Sequence, residues 1–85
     1  MPRVSEPTTG VSAYILVQTE IGKASTVKHA ISDIEGVGAE VVSGPYDVIV
    51  RATAPSVDDL SRDVVARVQG IPGITRTLLC VVVNI

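Results

Sequence analysis

The chain has 85 residues and a formal net charge of −2, from seven Lys and Arg against nine Asp and Glu. A chain this short has room for one domain with a modest core, which favours burial of further apolar surface against a partner. Its basic residues are scattered singly and its two aromatic residues are Tyr14 and Tyr46, so we expect no direct nucleic-acid partner.

Cysteine content and hydropathy narrow the class of protein further. The only cysteine, Cys80, lies in an apolar run at residues 78–83, where a thiol is most often a small buried side chain rather than a nucleophile. One cysteine cannot form a disulfide framework or a zinc site by itself. The N-terminus lacks a signal-peptide pattern and no apolar run is long enough to cross a bilayer, so we expect a cytoplasmic protein without membrane contact.

The first part of the chain predicts a tail, a strand and a helix. Residues 1–11 mix Pro, Gly, Thr and charged residues without a period and predict a flexible N-terminal tail. Residues 12–19 predict a strand that is apolar on both alternating faces. Residues 22–34 carry apolar positions at helical spacing and predict a helix that is ended by Gly36. His29 lies on the polar side of this helix without a second histidine or an orienting partner, and is interpreted as a solvated residue.

The second part predicts a hairpin, a helix and a last strand. Residues 37–43 and 46–54 are apolar, β-branched runs that predict two hairpin strands. Ser56 is the predicted N-cap of the second helix. The apolar stripe of that helix consists of Val57, Leu60, Val64, Val65 and Val68. Residues 74–85 predict a long last strand.

The corner of the hairpin, Ser43-Gly44-Pro45-Tyr46-Asp47, carries the least common local chemistry of the chain. Gly44 can adopt a backbone conformation closed to other residues, Pro45 fixes its own φ, and Asp47 can accept hydrogen bonds from nearby backbone N–H groups. From residue types alone, the simpler interpretation is a turn without a ligand.

The order strand, helix, strand, strand, helix, strand predicts an α+β protein with a ferredoxin-like βαββαβ fold in one domain at residues 12–85. Two βαβ units with right-handed crossovers give a four-stranded antiparallel sheet, in the order 4-1-3-2, with two helices on one face. The first and last strands are apolar on both faces, and burying the uncovered face at about 25 cal/mol per Å² contributes several kcal/mol. The uncovered face and the edge of the last strand therefore predict a homo-oligomer, at least a dimer.

Two motifs within this pattern carry a family resemblance. They are Val-Ser-Gly-Pro-Tyr-Asp-Val-Ile-Val at residues 42–50 and Ile-Pro-Gly-Ile-Thr-Arg-Thr at residues 71–77. In this order and at this distance, they resemble the effector-binding (RAM) domain of Lrp/AsnC-type transcription regulators, over residues 12–83. The resemblance implies a regulator rather than an enzyme, which dimerises through its sheet faces as a dimeric α/β barrel and assembles further into rings or octamers. It also implies a small amino-acid effector, bound in a cleft between dimers without a cofactor.

The resemblance assigns candidate ligand-binding residues at the hairpin corner and at the start of the last strand: Gly44, Pro45, Tyr46, Asp47, Arg76 and Thr77. An amino acid needs an acceptor for its ammonium group, which Asp47 could supply. Its carboxylate needs donors, which backbone N–H groups near Gly44, together with Thr77 or Arg76, could supply.

The chain departs from the family pattern in two places. Full-length regulators carry an N-terminal helix-turn-helix domain, whereas eleven residues precede the domain here. The chain therefore resembles a stand-alone version that cannot bind an operator by itself and pairs with full-length family members or senses an amino acid independently. Leu79 occupies a position where the family often has a second hydroxyl residue, so one polar contact to the ligand is in question.

Two other functions are compatible with the predicted fold. Dimeric ferredoxin-like domains include small cofactor-independent oxygenases and isomerases, but catalysis needs convergent acid or base groups, which the aliphatic strands lack. The second alternative is an assembly module without a ligand. If one of the twenty amino acids stabilises the protein, this would distinguish an effector-binding domain from an enzyme and from an assembly module.

Overall fold

The computed structural model describes residues 10–83, so residues 1–9 of the predicted tail at 1–11 and the last two residues of the chain lie outside the described part. The tail prediction is wrong at Val11, which is the first residue of a strand. The elements are strand β1 (Val11–Thr19), helix α1 (Ala24–Ser32), strand β2 (Val37–Val41), strand β3 (Val48–Ala54), helix α2 and strand β4 (Ile74–Val81). Helix α2 consists of an α-helical start at Val57–Asp59, a π-helical turn at Leu60–Val65 and an α-helical end at Ala66–Gln69. This order confirms the predicted βαββαβ pattern.

The four strands form one sheet in the order β2-β3-β1-β4, and every neighbouring pair is antiparallel. Ile15 in β1 lies opposite Val50 of β3 on one side and opposite Leu79 of β4 on the other. The predicted ferredoxin-like fold and its strand order are therefore confirmed. Strands β2 and β4 are the two edges of the sheet.

The core lies between one face of the sheet and one stripe of each helix. It consists of Ala13, Ile15, Val17, Val27, Ile31, Val48, Val50, Ala52, Leu60, Val64 and Val68. The strand members alternate along β1 and β3, and the helix members recur every four residues, as expected for elements with one buried side. Both helices therefore cover the same face of the sheet. The prediction that Val57 belongs to the apolar stripe of α2 is wrong, because this first residue of the helix is 48% exposed.

The π-helical turn in α2 was not expected from the apolar spacing. The N–H group of Ala66 donates to the carbonyl of Ser61, five residues earlier, which is the hydrogen bond of a π turn. Leu60 and Val64 in this turn are both buried, so the wider turn still keeps its apolar side on the core. A spacing of four residues fits either kind of turn, and the sequence pattern cannot distinguish them.

Ser56 is the N-cap of α2, as predicted. The N–H group of Asp59 donates to Oγ of Ser56 at 3.1 Å, and this Oγ donates to Oδ2 of Asp59 at 3.0 Å. We expect Ser56→Ala to lower the free energy of unfolding by about 1 kcal/mol, because a backbone donor in the first turn loses its acceptor. Ser61→Ala, at an exposed position of the same helix, is the matched control. Equal urea midpoints for both variants would show that the cap contributes nothing.

The second face of the sheet, which we call the open face, carries no helix. Alternation and strand register place Tyr14, Leu16, Ile49, Leu78 and Cys80 at its centre. Tyr14 and Leu78 are each 41% exposed, so the centre of the open face is an apolar surface in the single chain, with the exposed Arg51 directly beside Tyr14. Cys80 is exposed, and the prediction of a buried thiol is wrong for one copy of the chain. The reason is that β4 is an edge strand whose open-face side chains are uncovered.

No helix in residues 10–83 is long and apolar enough to cross a membrane. Within the same residues, no group of three or more His, Cys, Asp or Glu side chains is placed to hold a metal ion.

Candidate binding site

The hairpin corner lies beside the end of β1. The N–H group of Asp47 donates to the carbonyl of Val17 at 2.9 Å. On the opposite side of β1, the same Val17 is paired with Thr77 of β4. The structure therefore brings the corner, residues 43–47, and the start of β4, with Arg76 and Thr77, to the same end of the sheet. A single strand, β1, separates the two groups of predicted residues.

The carboxylate of Asp47 connects the corner to β1. Its Oδ2 accepts a hydrogen bond of 2.8 Å from the N–H group of Thr19, and this bond is partly buried. The carbonyl of Asp47 also accepts from the N–H group of Val42 at 2.9 Å. The side-chain bond links residues 28 positions apart, so the interpretation of Asp47 as a local turn acceptor is wrong. A hydrogen bond from a backbone N–H group to an ionised carboxylate is stronger than one to a neutral acceptor.

Gly44 does not have the special backbone conformation that the sequence suggested. Its φ is not positive, and a Cβ atom built on it would meet no other atom within 4 Å. The shape of the corner therefore rests on its bonds to β1 rather than on a strained glycine. Gly73, just before β4, is the constrained position. Its φ is +98°, and an added Cβ would lie 3.3 Å from Cγ2 of Val27 in α1.

Gln18 contacts the candidate site, and sequence reasoning did not include it among the candidate residues. Its Nε2 donates to the carbonyl of Pro45 at 3.0 Å, so the side chain reaches from β1 to the corner. On its other side, Gln18 is paired with Arg76 of β4. The available signal was the only amide side chain of this strand, next to its last residue. Tyr46 beside Pro45 is half-buried.

Arg76 and Thr77 lie on opposite faces of the sheet, because side chains alternate along a strand. Thr77 is level with buried Val17 on the helix side, and its hydroxyl accepts from Nε2 of Gln69 at 3.1 Å. Arg76 is level with Gln18 on the open face and is exposed. The two predicted carboxylate donors therefore cannot both contact a ligand that lies on one face.

The start of β4 contains a β-bulge. Gln18 is paired with Arg76, whereas the next residue of β1, Thr19, is paired with Ile74, so Thr75 is the extra residue. A depression of about 200 Å³ lies here, lined by Gln69, Ile74, Thr75, Arg76 and Thr77. Bulges commonly redirect side chains beside binding sites, and this one lies where the predicted residues of β4 begin.

The fold and the site together define a ferredoxin-like domain with an open apolar sheet face and a polar site at one end of the sheet. A family model described as the Lrp/AsnC ligand binding domain matches residues 12–85. The chain therefore belongs to the Lrp/AsnC ligand-binding domain family.

Solved structures with this fold include a protein described as a transcriptional regulator. A protein named FFRP-DM1 is 30% identical with a TM-score of 0.79, over 86% of this chain and 99% of that chain. AsnC of E. coli is 15% identical with a TM-score of 0.81, over 99% of this chain and 62% of that chain. A transcriptional regulator of Neisseria meningitidis, solved as a complex with L-Met, is 14% identical with a TM-score of 0.75. The match to it covers 99% of this chain and 60% of that chain. No curated protein matched the chain.

Proposed function

We propose that this regulatory domain binds a small amino acid at the end of its sheet and acts on transcription through partner proteins. Its membership in a ligand-binding family supports an effector-binding role. The observation that carries the proposal is the convergence of the hairpin corner and the start of β4 on the end of β1. An acidic side chain, Asp47, and a basic side chain, Arg76, lie on the two sides of that strand. An amino acid needs groups of both kinds.

The proposal includes a homo-oligomer, with a dimer formed by the open faces of two copies. The centre of the open face is aliphatic and aromatic, and packing two sheets face to face removes such a surface from water. A second copy on the open face would also lie close to Arg76, which is on that face at the end of the sheet. A ligand that binds only the assembled form shifts the equilibrium toward it, which would link effector to assembly. Larger rings or octamers and pairing with full-length family members belong to the same proposal.

A thermal-shift screen with the twenty amino acids tests the proposal. One amino acid, or a few of similar shape, should raise the melting temperature. At a hundredfold excess over the dissociation constant the expected stabilisation is about 2.7 kcal/mol, which corresponds to more than about 10 °C for a domain of this size. An unchanged melting temperature with every amino acid would contradict effector binding and leave assembly without a ligand as the function.

A further inference from the structure

We infer that residues 1–9 of this chain, which precede the described part, bind in a cleft between the two helices at the end of the sheet where β1 begins. Arg3 is the anchoring residue, and the carboxylates of Glu35 and Asp63 are its partners. The cleft lies at the opposite end of the sheet from the hairpin corner, so the inference is independent of amino-acid binding. It differs from the sequence-based prediction of a flexible tail.

The cleft has a volume of about 380 Å³ and lies on the helix side of the sheet. One wall is formed by Ile34 and Glu35, which follow α1, and the other by Asp63 and Val64 of α2. The end of β3, with residues 53–55, forms the third side. Val64 belongs to the core and Ile34 packs against the core. A second copy on the open face would therefore leave the cleft uncovered.

The described chain enters β1 at the edge of this cleft. Val11 is paired with Ala54, which lines the cleft. Gly10 has a φ of +131°, and a Cβ atom built on it would lie 3.2 Å from the carbonyl oxygen of Ala54. A glycine is the residue that permits such a backbone turn directly against the end of β3. Residues that precede Gly10 therefore begin beside the cleft.

The length of the segment favours binding within the same chain. Arg3 is seven residues before Gly10, and an extended chain covers about 3.3–3.6 Å per residue, so Arg3 can reach any part of the cleft. Attachment at Gly10 also holds the segment at an effective concentration on the order of millimolar, as a short tether does. Contacts that would be too weak for a separate peptide can therefore keep this segment in place.

The segment and the cleft have complementary charges. Residues 1–9 contain one basic side chain, Arg3, and one acidic side chain, Glu6. The cleft has the reverse excess, with the carboxylates of Glu35 and Asp63 and the guanidinium of Arg67. A guanidinium group binds carboxylates through several N–H donors in a fixed geometry. Arg3 therefore fits between the two carboxylates, and Glu6, closer to Gly10, fits Arg67.

The π turn of α2 shapes one wall of the cleft. Asp63 and Val64 both lie in this turn, and π turns are rare and frequently occur at functional sites. Nε of Arg62 lies 3.7 Å from Oδ1 of Asp63, which is longer than a hydrogen bond, so this oxygen can accept from a second guanidinium. On the facing wall, half-buried Ile34 offers an apolar contact to Val4 of the segment.

The test uses paramagnetic broadening of backbone amide signals. A nitroxide spin label is attached at Ser5→Cys, in a full chain in which Cys80→Ser removes the other thiol. Amides of the cleft at residues 34–35 and 63–64 should broaden, and amides at the centre of the open face should not. Arg3→Glu should reduce this broadening about two- to fivefold, the factor that an exposed ion pair gives.

A charge exchange separates binding in the cleft from mere proximity of the segment. Adding Glu35→Lys to Arg3→Glu restores an opposite-charge pair and should restore the broadening of the cleft amides. Glu20→Lys, an exposed change near the other end of the sheet, is the matched control and should restore nothing. Broadening that Arg3→Glu leaves unchanged, or that Glu35→Lys does not restore, overturns the inference.

Two further outcomes would also contradict it. The first is broadening that is confined to amides of the open face. The second is broadening of the cleft in an isotope-labelled chain without a spin label, mixed with an unlabelled chain that carries one, because the segment would then come from a second copy. The thermal shift with amino acids should be the same in Arg3→Glu and the wild-type protein. A protein that binds no amino acid would thus refute the proposed function and leave this inference standing.

Discussion

Leu16→Asp should convert the protein from an oligomer into a monomer near 8.9 kDa, measured by light scattering at micromolar concentration. Leu16 lies in the centre of the open face, between Ile49 of β3 and Leu78 of β4. A carboxylate at this position would be buried without a partner when two sheet faces pack, which costs several kcal/mol. The variant should remain folded, because the core lies on the other side of the sheet and Leu16 is not part of it.

A matched control is Thr26→Asp, which places the same charge at an exposed position of α1 on the helix side. This variant should scatter like the wild-type protein, and circular dichroism should show both variants folded. A wild-type monomer would contradict the proposed homo-oligomer altogether. If Leu16→Asp is still an oligomer, the interface between copies lies on a surface other than the open face.

Asp47→Ala should lower the free energy of unfolding by about 1.5–3 kcal/mol, the range for a hydrogen bond to a charged group. The N–H group of Thr19 loses its acceptor in a partly buried position, and the corner loses a connection to β1. This expectation replaces the one that follows from the sequence, in which Gly44 and Pro45 hold the turn and the aspartate is free for a ligand. Urea denaturation monitored by circular dichroism measures the difference.

Asp47→Asn is the control for this prediction, because the amide retains an acceptor oxygen of nearly the same shape. Its loss of stability should be the smaller of the two. The backbone amide proton of Thr19 gives a direct observation, since its chemical shift should move most in Asp47→Ala. If Asp47→Ala is as stable as the wild-type protein, the bond to Thr19 contributes nothing and the carboxylate is available to a ligand.

The fold could be predicted from local patterns because each element follows from its own residues. Alternation in β1, the four-residue spacing of Val27 and Ile31, and the Ser56 cap are all readable within a few positions. The strand order then follows from the few topologies that short right-handed connections allow. Element ends were less accurate, since β3 begins at Val48 and leaves Tyr46 and Asp47 in the corner.

The site could be predicted only in part, because its decisive contacts join distant parts of the chain. The sequence identified the corner and the start of β4, and the structure places both at one end of the sheet. It did not reveal the bond from Gln18 to Pro45, which joins residues 27 positions apart, nor the bulge that separates Arg76 from Ile74. The backbone conformation suggested for Gly44 was wrong because it was inferred from the residue type alone. A glycine in a corner can adopt positive φ but is not required to do so.

Strand β4 pairs with β1 alone, among the described strands, and this divides the candidate site by local stability. Leu78 is 41% and Leu79 36% exposed, on opposite faces, so the helices and the core protect this strand only in part in one copy. Few buried apolar contacts mean a low free energy of local opening. Arg76 therefore lies on an edge strand, whereas the hairpin corner is bonded through Asp47 to the inner strand β1. A ligand held between the two would act as a cross-link that closes β4 onto the rest of the domain.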